Sequence, residues 1–211
     1  MKSNATFHVL LAILTITASA QDIKEERTDK LYSSSGIGFS IPIGETSEYF
    51  APKVSTTLGL NLGLGNKGLF LYPKISLHAY KYNQQITDPG YTTKINNGRA
   101  TTYLLNLALG YRKIVGNFGY YGFIGGGGGF ILTPEVQVNT PGTEASLNNK
   151  TNSMVMLETG LGIEYNIGKL SVFLESSFMN GFSKIQERRF QSIPLSIGIK
   201  PNLSSKTNGK K

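Results

Sequence analysis

The chain has no cysteine, no tryptophan and only two histidines. Without cysteine there is no disulfide framework, thiolate metal site, iron–sulfur cluster or cysteine nucleophile, and no acceptor for a lipoprotein anchor. His8 and His78 leave little scope for histidine-based metal or acid–base chemistry, so no metal or cofactor is expected. Charge is scarce as well, at 16% of residues against about 25% in an ordinary soluble domain. No apolar run approaches the roughly 18 residues of a spanning helix, which excludes a helical membrane protein. Glycine is the residue in excess, 25 in 211, above its usual share of about 7%. The length suits one β domain.

The two ends differ from the body. Met1 to Ala20 reads as a secretory signal, with Lys2 as its positive start, an apolar stretch from Phe7 to Ile16, and a small-residue cleavage site at Ala18-Ser19-Ala20. From Gln21 the sequence turns abruptly polar, and 21–33 reads as a lead-in to the folded part. An exported chain without cysteine suits a bacterium better than a eukaryotic secretory pathway. Net charge is +8, partly carried by Lys206, Lys210 and Lys211. Residues 201–211 therefore read as a basic, disordered tail. No basic face interleaved with aromatics appears, so nucleic acid is not an expected partner.

Between the ends the hydrophobic period is two. Leu58, Leu60, Leu62 and Leu64 alternate with Gly59, Asn61 and Gly63, and Tyr103, Leu105, Leu107, Leu109 and Tyr111 alternate with mostly smaller or polar residues. A helix would space its apolar residues by three and four. The alternation predicts eight strands, at 34–43, 54–64, 69–82, 101–112, 119–132, 153–166, 170–179 and 191–200. Gly125 to Gly129 blank the pattern in the fifth. They lack the lysine and the helix of a phosphate-binding loop, and a bend or close packing in the barrel wall is the better reading. Connections alternate short and long, with Asp88-Pro89-Gly90 and Thr140-Pro141-Gly142 placing turn residues inside long ones. Across the first tight turn, setting Leu64 against Leu69 puts Leu62 against Leu71, Leu58 against Ile75 and Gly59 against Lys74. Apolar meets apolar on one face only in that register.

Alternation alone does not say which face of a closed sheet is wet. Strands of about ten residues match a tilted bilayer span, and a short/long loop rhythm suits outer-membrane barrels with short periplasmic turns and long external loops. The polar face is dominated by Gly, Ser, Thr and Asn, as a narrow lumen requires. Tyr103 and Tyr111 bracket the fourth strand as interfacial aromatics would. The expected fold is all-β, an eight-stranded antiparallel up-and-down transmembrane β-barrel over 34–200, with 21–33 periplasmic. From about Ser34 to Lys200 the chain resembles the small outer-membrane barrels of the OmpA/OmpX type. Its ending Ile193-Pro194-Leu195-Ser196-Ile197-Gly198-Ile199-Lys200 is similar to the last strand of the outer-membrane barrel-domain and PorT-like proteins of Bacteroidota. Such barrels usually end in an aromatic residue, whereas here Pro201 to Lys211 follows. The resemblance implies outer-membrane lipid and the barrel-assembly machinery as partners.

If the odd positions of the first, third, fourth, sixth and eighth strands face lipid, Lys74, His78, Arg112, Glu158, Glu164 and Lys200 point inward, and the opposite parity of the seventh turns Glu175 inward too. Acids and bases nearly cancel there, which predicts an ion-pair network plugging a lumen that has room only for side chains. Ser76 and His78 lie two apart on one face and resemble the Ser/His pair that lipid A deacylases of eight-stranded barrel form use with an acidic partner, but here they should face the lumen and not the acyl chains. No catalytic residue is assigned. The function expected is a non-enzymatic envelope scaffold, engaging an envelope protein partner or ligand through its long loops. The alternatives are a secreted lipocalin-like carrier with an empty apolar lumen, and the lipid-modifying hydrolase.

Overall fold

The computed structural model describes residues 31–65, 67–88, 91–138, 145–185 and 188–204. The expected signal segment, most of the lead-in and the last seven residues lie outside them. Eight strands form one closed antiparallel barrel in which each pairs with its sequence neighbours and the last closes on the first. They are β1 (Leu31–Pro42), β2 (Phe50–Gly63), β3 (Leu69–Asp88), β4 (Tyr91–Val115), β5 (Phe118–Val138), β6 (Ala145–Ile167), β7 (Leu170–Ile185) and β8 (Arg188–Pro201). Within the wall, closure leaves no strand edge unpaired. A short 3-10 turn, Gly44–Glu48, joins β1 to β2. It lies over the end of the lumen against β8, where the Thr46 hydroxyl donates to Arg189 O (3.0 Å) and accepts from Gln191 N–H (2.8 Å).

The short turns are set by local chemistry. β4–β5 and β6–β7 connect through Gly116-Asn117 and Gly168-Lys169. Gly116 and Gly168 have φ of 60° and 66°, the left-handed value that a II′ hairpin demands of its first loop residue. Register follows the hydrophobic pattern. Leu58 pairs with Ile75, Gly59 with Lys74, Leu62 with Leu71, and Leu64 N–H donates to Leu69 O.

Three expectations need correction. The long connections are mostly not loops. β3–β4 continues as a paired ribbon to Asp88 and Tyr91, β5–β6 to Val138 and Ala145, and β7–β8 to Ile185 and Arg188. Strand pairing outlasts the alternation because, beyond the wall, neither face of a ribbon is obliged to be apolar. β1 begins at Leu31, three residues earlier than 34, pairing Leu31 with Leu62. The start of the expected tail is paired too: Pro201 belongs to β8, Asn202 bridges Tyr32, Leu203 N–H donates to Leu31 O, and Leu31 N–H donates to the Ser204 hydroxyl. Lys206 to Lys211 lie outside the described residues.

The glycine run is a closely packed stretch of the wall. β5 pairs continuously with β4 and β6 through Gly125 to Gly129. A Cβ at Gly125, Gly127 or Gly129 would collide with β4 backbone, whereas one at Gly126 would meet nothing nearer than Met156 O at 3.6 Å. Gly38 and Gly198 meet the same obstruction at the β1–β8 seam, on the opposite side of the ring. Close backbone approach at two opposed seams reserves these positions for glycine.

Candidate functional site

Inside and outside are exchanged relative to a soluble barrel. The outward residues of the wall are apolar, with Leu161 74% and Leu105 62% exposed, and Ile37, Leu58, Ile75, Leu107, Ile124, Val155 and Ile197 similarly bare. Lys74, His78, Arg112, Glu158, Glu164, Glu175 and Lys200 all point into the lumen and are buried. Free ions in such an interior would be prohibitive, so their pairing decides whether the barrel holds together.

The ions form two groups. Near the middle, Lys74 Nζ contacts Glu158 Oε1 at 2.5 Å and Glu175 Oε1 at 3.5 Å. Asn106 and Ser177 donate to Glu158 (2.5 and 2.6 Å), and Tyr121 and Tyr72 donate to Glu175 (2.9 and 3.4 Å). Towards the short turns, Glu164 stands between Arg112 and Lys200, each at 3.2 Å. Arg112 also donates to Asn61 and lies over the Tyr32 ring, while Lys200 Nζ lies 3.6 Å from the Tyr121 ring centroid. Three carboxylates thus meet three cations, with aromatic faces covering the remaining sides of the cations.

His78 shares the lumen but not the network. Among the described residues neither ring nitrogen has a hydrogen-bond partner, and its cross-strand neighbours are Ser55 and Thr102. Ser76 is buried on the same face. Among the described residues no hydrogen bond joins it to His78 and no acid orients the ring, so the pair lacks the arrangement a hydrolase uses. Of the partners that sequence reasoning missed, Asn61, Tyr72 and Ser177 occupy inward positions of strands whose alternation was legible, and parity would have found them; Tyr121 lies on β5, where the glycine run blanks the pattern.

The rest of the lumen is packed. Along β3 the inward series is Phe70, Tyr72, Lys74, Ser76, His78, Tyr80 and Tyr82, so aromatics lie both below and above the ions. At the hairpin end Phe50, Tyr80, Tyr82, Met154, Met156, Met179 and Phe190 form one buried cluster. Phe50 sits 5.2 Å from Tyr82 and 6.0 Å from Phe190, centroid to centroid. That filling contradicts the lipocalin-like alternative, which needs an empty apolar lumen.

Aromatics mark the limits of the apolar exterior. Tyr103 stacks on Phe130 at 5.1 Å, and at the short-turn end exposed Tyr111 is joined by Phe118, Tyr120 and Tyr165, with Phe118 and Tyr165 5.0 Å apart. Tyr103 and Tyr111 are eight residues apart, about 27 Å along a strand. A tilt of about 40° reduces this to roughly 21 Å, near the apolar height of about 25 Å in outer-membrane barrels.

No family model matches the chain, and no curated protein matches it in sequence. Among solved structures it is similar to Neisserial surface protein A, with a TM-score of 0.57 and 10% identity over 82% of this chain and 97% of that one. Overlap is weaker with Ail, the attachment invasion locus protein of Yersinia pestis (TM-score 0.44, 15% identity, 81% of this chain and 99% of that one). It is weaker again with the N-terminal β-barrel domain of Pseudomonas aeruginosa OprF (0.39, 12%, 82% and 96%). The first likeness is one of fold: the small eight-stranded barrel of the OmpA/OmpX type.

Proposed function

We propose that the chain is a non-enzymatic barrel of the bacterial outer membrane, a scaffold that holds three β-ribbons clear of the bilayer for binding or envelope assembly. The observation that carries this reading is the apolar exterior wrapped around a filled, charge-balanced lumen. Such an interior neither conducts nor stores a ligand, which leaves the ribbons and their rims as the working surfaces. Ribbons paired nearly to their tips present side chains in a fixed order. Exposed Leu147 on the β5–β6 ribbon stands where no bilayer would cover it, and it is an apolar contact for a protein partner. Outer-membrane lipid and the barrel-assembly machinery are the remaining partners of this reading. Membership in the Bacteroidota barrel-domain group rests on the last-strand pattern Ile193 to Lys200 alone.

Topology and location are tested together. An epitope inserted near Gly142 or Gly90 should be accessible on intact cells, and one at Asn66–Lys67 should not. Heat-modifiable gel migration of the extracted protein should accompany it, because a closed barrel resists unfolding in cold detergent. Labelling at Asn66–Lys67 with none at Gly142 would reverse the orientation.

A further inference from the structure

Cross-strand neighbours on one face of an antiparallel pair have Cβ atoms about 5 Å apart, and like charges placed directly opposite each other are destabilising. The barrel nevertheless sets Lys81 directly opposite Arg99 on β3 and β4. Their neighbours Tyr80, Tyr82 and Ala100 are buried inward, so both cations project from the outer face, and both are exposed. Neither forms an ion pair among the described residues. A second such pair, Lys184 opposite Arg189, joins β7 and β8 on the other side of the ring, although there Glu45 lines the same recess as Arg189. At the short-turn end the exposed Lys113 pairs with Tyr120 on β5.

Height makes the pair informative. Arg99 lies four residues beyond Tyr103 on β4, about 13 Å along the strand and roughly 10 Å above the aromatic rim once tilt is included. Long basic side chains reach back towards such a rim. A guanidinium and an ammonium side by side match a phosphate group, the first as a planar fork and the second as a point charge. Bound phosphate would also cancel the repulsion that the register imposes.

We propose that Lys81 and Arg99 bind the phosphate group of an anionic membrane lipid at the hairpin-end surface of the bilayer. This rests on the bilayer-spanning reading above. The test reconstitutes the full chain in phosphatidylcholine vesicles doped with bis-phosphorylated lipid A or with its dephosphorylated form, and reads retained lipid by native mass spectrometry. The phosphorylated lipid should be retained and the dephosphorylated one lost. Lys81→Gln/Arg99→Gln should weaken retention by about tenfold or more, the effect of removing charge-assisted contacts. Lys113→Gln/Lys169→Gln, at the other end, should match the wild type. Heat-modifiable migration reports folding in each case, and the single variants Lys81→Gln and Arg99→Gln serve if the double variant does not fold. Equal retention by both double variants, or of both lipids, would overturn the site. Inorganic phosphate binding as tightly as the lipid would overturn the lipid as its source. Failure of the wild type to enter vesicles at all would sink the bilayer reading instead, and this inference with it.

Discussion

At the residue scale the central choice is between pairing a buried charge and omitting it. Lys74 neutralises two carboxylates at once, so Lys74→Met strands both. Removing one partner of a buried pair costs about 3–5 kcal/mol, and the urea midpoint of the reconstituted barrel should fall accordingly. Lys74→Met/Glu158→Gln should recover part of the loss, because the amide still accepts from Asn106 or Ser177 without a charge. A double variant no better than the single would contradict the pairing. His78 offers the opposite case. Its two unpartnered nitrogens give nothing back for their burial, so His78→Leu should leave the midpoint unchanged or higher. A loss as large as that of Lys74→Met would mean the imidazole has a partner in the membrane-embedded protein. Inward direction was legible for all seven residues because parity alone decides it. Which of them touch was not, since that depends on how far each strand is staggered around the ring.

Elements were legible where one face had to be apolar. The β2–β3 register could be read from Leu58 to Ile75 because a slip by one residue would turn every leucine inward. The ribbons beyond the rim were hidden for the converse reason. Thr92, Thr93, Val136 and Val138 favour extended backbone, but nothing forces them to alternate. The glycine run shows a third situation, in which pairing survives with almost no side chains. Its alternate members are not equivalent: Gly127→Ala should break the β4–β5 seam, because a Cβ there strikes Leu105 backbone, whereas Gly126→Ala should be tolerated. Yield of the heat-modifiable form distinguishes the two. Equal tolerance would contradict the close backbone approach at β4–β5.

For the whole molecule, a filled lumen forbids bulk flow. Eight strands enclose just enough space for side chains, and here aromatics, methionines and ion pairs occupy it. Planar-bilayer recordings should therefore show no large, stable channels; reproducible porin-sized steps would mean that the lumen packing is wrong. The account as a whole depends on one claim, that the apolar face of the wall meets hydrocarbon. The chain's lack of tryptophan makes that claim directly measurable with single introduced reporters. Leu107→Trp places an indole in the middle of the belt, and Leu147→Trp places one on the β5–β6 ribbon; both parent residues are more than half exposed, at 54% and 67%. In vesicles of lipids brominated on their acyl chains, emission from position 107 should be quenched and insensitive to aqueous iodide. Emission from position 147 should be quenched by iodide and spared by bromine. Iodide quenching at 107 without bromine quenching would contradict the account, because the apolar wall would then face water.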